Sequence, residues 1–128
     1  MASNGELVRN AFAAWEAGDN RAFFALVAPD VTWRVIGTTA ISGTYPSKKA
    51  FLVGTAALSD AFAEPIVAKV VAVREAGDTV ILQWEGTSRG RNGTPYEQSY
   101  CWVMQLADGK VSDVVAYLDT ALLERLLA

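Results

Sequence analysis

With 128 residues, 52% of them apolar, and a net charge of −3, the chain can bury one core and has no basic stripe for nucleic acid or an anionic membrane. No apolar run reaches the ~20 residues that span a bilayer, and the MASNGELVRN start has neither the basic nor the apolar region of a signal peptide. Histidine is absent, which removes His-based triads, His general bases and the usual zinc sites; the single cysteine, Cys101, allows no internal disulfide and fits a reducing cytoplasm.

Ser3-Asn4-Gly5-Glu6 reads as a capping box, followed by Leu7, Val8, Ala11, Phe12, Ala14 and Trp15 at helical spacing. Gly18 ends this helix, and Asp19 can cap a short second one that carries Phe23, Phe24, Leu26 and Val27 before Pro29. Residues 31–36 alternate as a strand with Val31, Trp33 and Val35 on one face; 37–46 reads as a loop. Ser47 caps a predicted third helix over 48–60, in which Gly54 is a weak point or a place of close packing. Four strands follow, 66–75, 79–89, 94–106 and 111–118, joined at Gly77-Asp78, Asn92-Gly93 and Asp108-Gly109. A terminal helix spans 121–127, and no repeat, linker or low-complexity stretch divides residues 1–128. Asn92-Gly93-Thr94 also matches a glycosylation acceptor, but Asn-Gly between two strands is first a hairpin turn.

If all three turns are two-residue loops, the register follows, because a slip of one residue flips every side chain. Trp84 then faces Cys101, Leu82 faces Val103 and Glu85 faces Tyr100; Val103 faces Val114; Val73 faces Leu82 and Val71 faces Trp84. One face of the sheet is apolar (Val71, Val73, Val80, Leu82, Trp84, Cys101, Val103, Val114, Ala116, Leu118) and is expected to lie under the helices. The other carries Gln83, Glu85, Gln98, Tyr100, Trp102 and Tyr117, too aromatic for bare water, which predicts a homodimer through it.

Helix–helix–strand–helix and then a long antiparallel meander resembles the SnoaL-like, nuclear-transport-factor-2-like superfamily, which includes ketosteroid isomerase, limonene epoxide hydrolase and polyketide cyclases. The resemblance rests on Ala17-Gly18-Asp19, Pro29-Asp30-Val31, Gly43-Thr44-Tyr45, Asn92-Gly93-Thr94-Pro95-Tyr96, Asp108-Gly109-Lys110-Val111 and Tyr117-Leu118-Asp119-Thr120, and covers nearly the whole chain. It implies an α+β fold: a cone-shaped, curved sheet wrapped over three N-terminal helices in a cystatin-like roll, with a short C-terminal helix. It also implies a ligand pocket lined by Phe12, Trp15, Trp33, Val35, Tyr45, Trp84, Cys101, Val103, Val114, Ala116 and Leu118.

The family's catalytic residues are largely missing. The ketosteroid isomerase positions hold Ala11 or Phe12 and Arg34 or Val35, and the epoxide hydrolase positions hold Trp84, Gly86 and Ala116. The cyclase pattern survives at Asp119, ahead of a Leu-rich helix, where the resemblance implies a carboxylate that takes a proton alpha to a carbonyl; from the residues alone Asp119 reads first as that helix's N-cap. Glu85 and Tyr100 would form an acid–base pair in the pocket only if the register were flipped. Cys101 has no basic neighbour and reads as core, Lys48-Lys49 as a solvated face, Arg89-Gly90-Arg91 as a solvated turn. The three tryptophans Trp15, Trp33 and Trp84 either wall a cavity or fill the core. The resemblance thus implies an isomerase, cyclase or lyase without cofactor or metal that acts on an apolar carbonyl compound, or else a non-catalytic binder of apolar small molecules, or an epoxide hydrolase-like enzyme with a rearranged site.

Overall fold

The computed structural model describes residues 2–128. Helix α1 (Asn4–Glu16) starts at Ser3, whose Oγ accepts from the Glu6 amide at 3.2 Å. Glu75 reaches across from the sheet and accepts from the Gly5 amide at 2.7 Å, so a second free helical N–H finds a partner. Helix α2 (Arg21–Leu26) follows the Gly18 corner; Asp19 bonds the Arg21 amide and pairs with its guanidinium at the surface, which holds the Asp19 carboxyl down at about 2.

Strand β1 (Val27–Val35) begins earlier than its alternation suggests, with Pro29 lying where its pairing is irregular, between Val27 and Thr32. The presumed loop contains a short strand, β2 (Gly43–Tyr45), antiparallel to β1. The third helix is two: α3 (Lys48–Gly54) and α4 (Ala56–Ala61). They break at Thr55, whose hydroxyl donates to the Phe51 carbonyl at 2.7 Å. Gly54 lies directly against the Tyr45 ring, where no Cβ would fit, so close packing is its role.

The meander comprises β3 (Val67–Ala76), β4 (Thr79–Arg89), β5 (Pro95–Ala107) and β6 (Lys110–Tyr117), followed by α5 (Thr120–Leu127). The strand order is β2-β1-β6-β5-β4-β3, with β1 and β6 parallel and the other neighbours antiparallel. The fold is α+β, with helices against one face of a six-stranded sheet.

The register differs from the expected one at three places. The 91–93 turn is a three-residue loop: the Gly90 amide donates to the Thr94 carbonyl at 2.8 Å, and the Gly93 amide donates to the Gly90 carbonyl at 2.9 Å. Gly93 sits at φ +88°, the left-handed position such loops need. The extra residue moves β5 by one, so Trp84 faces Tyr100, Leu82 faces Trp102 and Glu85 faces Ser99. All of β5 is reversed. Tyr96, Gln98, Tyr100, Trp102 and Met104 are buried; Ser99 is exposed, and Cys101 and Val103 look outward half-buried. Asp108-Gly109 is a two-residue turn with both residues at positive φ, but a bulge beside Ser112 shifts the next pairs, so Val103 faces Val115. That bulge reverses the register a second time, which returns Val114 and Ala116 to the helix side, as expected. A bulge at Val71 pairs Val70 with Trp84 and leaves Val71 exposed on the outer face, while Val73 faces Leu82 as read from the turn.

Asn92 explains why the loop is built this way. Its Nδ2 donates to the Arg125, Leu126 and Ala128 carbonyls at 3.0, 3.3 and 3.0 Å, and so closes the C-terminal end of α5. Its Oδ1 accepts from the Thr94 amide at 3.1 Å. Asn92→Ala is expected to cost about 1 kcal/mol in urea unfolding, with the loss of α5 protection visible in amide exchange; an unchanged midpoint would remove this role.

Candidate functional site

The helix side of the sheet is aromatic. Phe12 from α1 lies 5.2 Å from Trp84 and 5.8 Å from Trp102, centroid to centroid. Trp15 lies 5.0 Å from Trp84, Trp33 5.1 Å from Trp102, and Trp84 and Trp102 stand edge to face at 5.0 Å. Phe23 and Phe51 close this group, with Phe51 stacked on Trp33 at 4.1 Å. These rings occupy the space where a ligand pocket was expected, and each fully buried ring contributes about 1.5–3 kcal/mol to the core. The indole N–H groups of Trp84 and Trp102 are buried with no acceptor among the described residues, which costs about 1–3 kcal/mol apiece.

Beside the tryptophans runs a polar strip from β5. Tyr100 stacks on Trp84 at 4.2 Å with the planes 14° apart. Gly86 makes this possible, because a Cβ there would meet Tyr100 Cε2 at 3.0 Å and Ile66 Cγ2 at 2.9 Å. The Tyr100 and Tyr96 hydroxyls are 2.7 Å apart, and Gln98 Nε2 donates to Tyr96 at 3.3 Å. Phe62 covers Tyr96 edge-on at 5.0 Å. Burial pushes the Tyr100 phenol well above its ordinary value, and burial also raises Tyr96, so both are neutral near pH 7.

Gln98, 1% exposed, also holds the junction between β6 and α5. Its Oε1 accepts from the Asp119 amide at 2.8 Å and its Nε2 donates to the Asp119 carbonyl at 2.9 Å. The Asp119 carboxylate is exposed, and its Oδ1 accepts from the Leu122 amide at 3.2 Å. Asp119 therefore caps α5. No carboxylate, lysine or arginine is buried among the described residues; the buried polar side chains are Thr39, Thr55 and Gln98, together with the Tyr and Trp groups above.

Of the expected pocket residues, Phe12, Trp15, Trp33, Val35, Trp84, Val114 and Ala116 come together on the helix side. Cys101 and Val103 do not: the three-residue loop turns them to the outer face. Leu118 is half-buried beside a cleft of about 350 Å³, which Val71, Gln83, Glu85, Ser99, Cys101 and Tyr117 also line and which Trp84 and Tyr100 border. Tyr45 packs half-buried on α3, its hydroxyl donating to the Ile41 carbonyl. Glu85 and Tyr100 are on opposite faces, so no acid–base pair forms between them. Gln98, Tyr100 and Trp102 share one face, as read, but it is the inner one. Tyr96 completes the set; its spacing of two from Gln98 was a usable signal that the assumed turn length obscured. No helix among the described residues is long and apolar enough to cross a membrane.

Residues 8–114 match the SnoaL-like domain family. The chain belongs to that family. Among solved structures, this SnoaL-like domain is similar to an NTF2-like protein of Burkholderia thailandensis E264, 25% identical, with 100% of this chain and 99% of that one covered and a TM-score of 0.83. It is similar to a Jannaschia sp. CCS1 protein described as a SnoaL-like polyketide cyclase, 19% identical over 97% of this chain and 90% of that one, TM-score 0.73. It is also similar to TerC, crystallised with polyporic acid, 20% identical over 98% of each chain, TM-score 0.73. No curated protein matches by sequence. The likenesses to TerC and to the Jannaschia protein establish the fold alone.

The Asp119 geometry makes a direct prediction. Asp119→Asn keeps the capping oxygen and leaves urea stability nearly unchanged, whereas Asp119→Ala loses about 1 kcal/mol. Equal losses in both would mean that the charge, not the cap, matters here.

Proposed function

We propose that this SnoaL-like domain binds a small, largely apolar molecule bearing an oxygen acceptor between its helices and its sheet, and that no carboxylate acts on it there. The observation that carries this reading is the pair of buried indole donors, Trp84 and Trp102, without acceptors in an otherwise apolar surround. A guest oxygen would relieve that cost. Helices α3 and α4 contribute no fully buried side chain and form the wall that parts most easily to admit a guest. TerC, on the same fold, was crystallised with polyporic acid, an organic ligand on this scaffold. The rival reading, an isomerase, cyclase or lyase with Asp119 as base, has in its favour the cyclase-like neighbour; against it stands a carboxylate that is exposed and engaged as a cap. The lone Cys101 fits a reducing compartment such as the cytoplasm. Calorimetric titration with acetophenone as probe is expected to give a dissociation constant below about 1 mM, weakened several-fold in Trp102→Phe. Absence of any heat or thermal stabilisation would end the proposal.

The same reading takes the domain to be a homodimer through the outer face of the sheet, with a different residue set from the one expected. Val71 and Tyr117, 58% and 44% exposed, adjoin half-buried Cys101, Val103 and Val115. Lys69, Arg74 and Arg34 lie on the same face as Glu85, Glu97 and Asp113, so a two-fold arrangement can set opposite charges against each other. Sedimentation at tens of micromolar is expected to give a dimer, and Val103→Asp a monomer. A wild-type monomer at that concentration would refute the interface.

A further inference from the structure

The 91–93 loop joins a chemically labile pair of residues to the end of a helix. Asn92 precedes Gly93, which has no side chain to obstruct attack of its own backbone nitrogen on the Asn92 side-chain carbonyl carbon. In the folded chain that attack is held off from both sides. The Gly93 N–H is engaged with the Gly90 carbonyl at 2.9 Å. The Asn92 amide is fixed by Nδ2 donating to the Arg125, Leu126 and Ala128 carbonyls and by Oδ1 accepting from the Thr94 amide. All the Nδ2 bonds end on the last turn of α5, and the end of a terminal helix is where fraying begins. Thr94 Oγ1 adds a donor to the Arg125 carbonyl at 3.3 Å. Gly90 leaves room for both partners: a Cβ there would meet Asn92 Oδ1 at 2.7 Å and Leu126 Cδ1 at 2.8 Å. The lock on Asn92 is therefore only as strong as the docking of that turn, which buried Leu126 anchors.

We infer that Asn92 is a site of hydrolytic deamidation gated by α5, and that the reaction turns a reversible opening of the helix end into a permanent one. When the last turn lifts, Nδ2 loses its acceptors and the side chain is free to rotate toward the backbone. The Gly93 nitrogen bonds to Asn92 Cγ, the Cγ–Nδ2 bond breaks, and ammonia leaves carrying the Gly93 proton. Water then opens the succinimide ring at one or the other carbonyl and leaves an aspartyl or isoaspartyl group at position 92. Either product lacks the donor that α5 needs. Each sets a carboxylate against the last carbonyls of the helix, at the negative end of its dipole. The isoaspartyl product also lengthens the loop backbone by a methylene group. The last turn then stays open and Leu126 stays exposed.

The test follows the intact chain in mildly alkaline buffer, reading deamidation at Asn92 by peptide-mapping mass spectrometry and opening of α5 by amide exchange. Deamidation of the folded chain is expected to be at least about tenfold slower than that of the chain unfolded in urea, because the last turn must open first. Below the unfolding midpoint its rate is expected to rise with urea in step with exchange of the last-turn amides of α5 rather than with the amides of β4 and β5. Leu126→Ala removes the anchor and is expected to deamidate at least about threefold faster than wild type. The deamidated chain, and Asn92→Asp made directly, are expected to exchange the last-turn amides at least about fivefold faster than the unmodified chain. No reaction in the unfolded chain, or equal rates folded and unfolded, would overturn the gated site. A rate that follows only global unfolding, or a folded Leu126→Ala that deamidates no faster than wild type, would overturn the gating by α5. Unchanged last-turn exchange after deamidation would overturn the permanent opening. If Leu126→Ala fails to fold, the urea dependence of wild type decides the same point.

Discussion

The three-residue loop at 91–93 decides which side of β5 faces the helices, and the interior follows from that. One residue fewer would put Cys101 and Val103 against α1 and turn Tyr100, Trp102 and Gln98 outward. The loop does not set this register alone. Asn92 must reach the last carbonyls of α5 while its own Oδ1 shapes the turn, and Gly93 must take the left-handed conformation that a longer loop requires. The hairpin turn and the C-terminal helix thus hold each other, and the β5 face is set by a contact more than thirty residues away in the chain.

Gln98 is the second fixed point. A fully buried amide is tolerated because the backbone N–H and C=O of Asp119 satisfy it on both sides, and the result is a hydrogen-bonded joint where strand β6 gives way to helix α5. The same amide donates to the Tyr96 hydroxyl, which lies 2.7 Å from that of Tyr100, so the joint that ends the sheet also reaches the buried tyrosine pair. On the opposite side of that joint the Asp119 carboxylate faces solvent and caps the helix. The fold thereby holds the Asp119 carboxylate apart from the aromatic interior.

The bulges at Val71 and Ser112 work on the same principle in the opposite direction. Each inserts one residue and so exchanges the faces of the residues that follow it. The Ser112 bulge restores Val114 and Ala116 to the core after the 91–93 loop has reversed β5. The Val71 bulge leaves an apolar side chain on the outer face, beside Tyr117, as part of the surface proposed to meet a second copy.

The family, the order of elements and their approximate bounds were legible in the residues themselves. Helix caps at Ser3 and Ser47, the Gly18 corner, the alternation of β1 and β4 and the Gly-containing turns are local signals, each satisfied within a few residues of where it is read. The inward placement of Phe12, Trp15, Trp33 and Trp84 was legible for the same reason, whereas Val114 and Ala116 came out inward only because the 91–93 loop and the Ser112 bulge cancel. Loop length and bulge position were not, because Asn92-Gly93 serves a two-residue or a three-residue turn equally well and only the distant α5 carbonyls discriminate between them. The split of 48–60 into α3 and α4 was likewise not legible: it falls at Thr55, whose hydroxyl donates to the Phe51 carbonyl. The amino-acid sequence by itself determined the family and the residues available to a site; the tertiary structure decided which of them face one another, since a strand's period of two makes one unseen residue enough to exchange inside for outside.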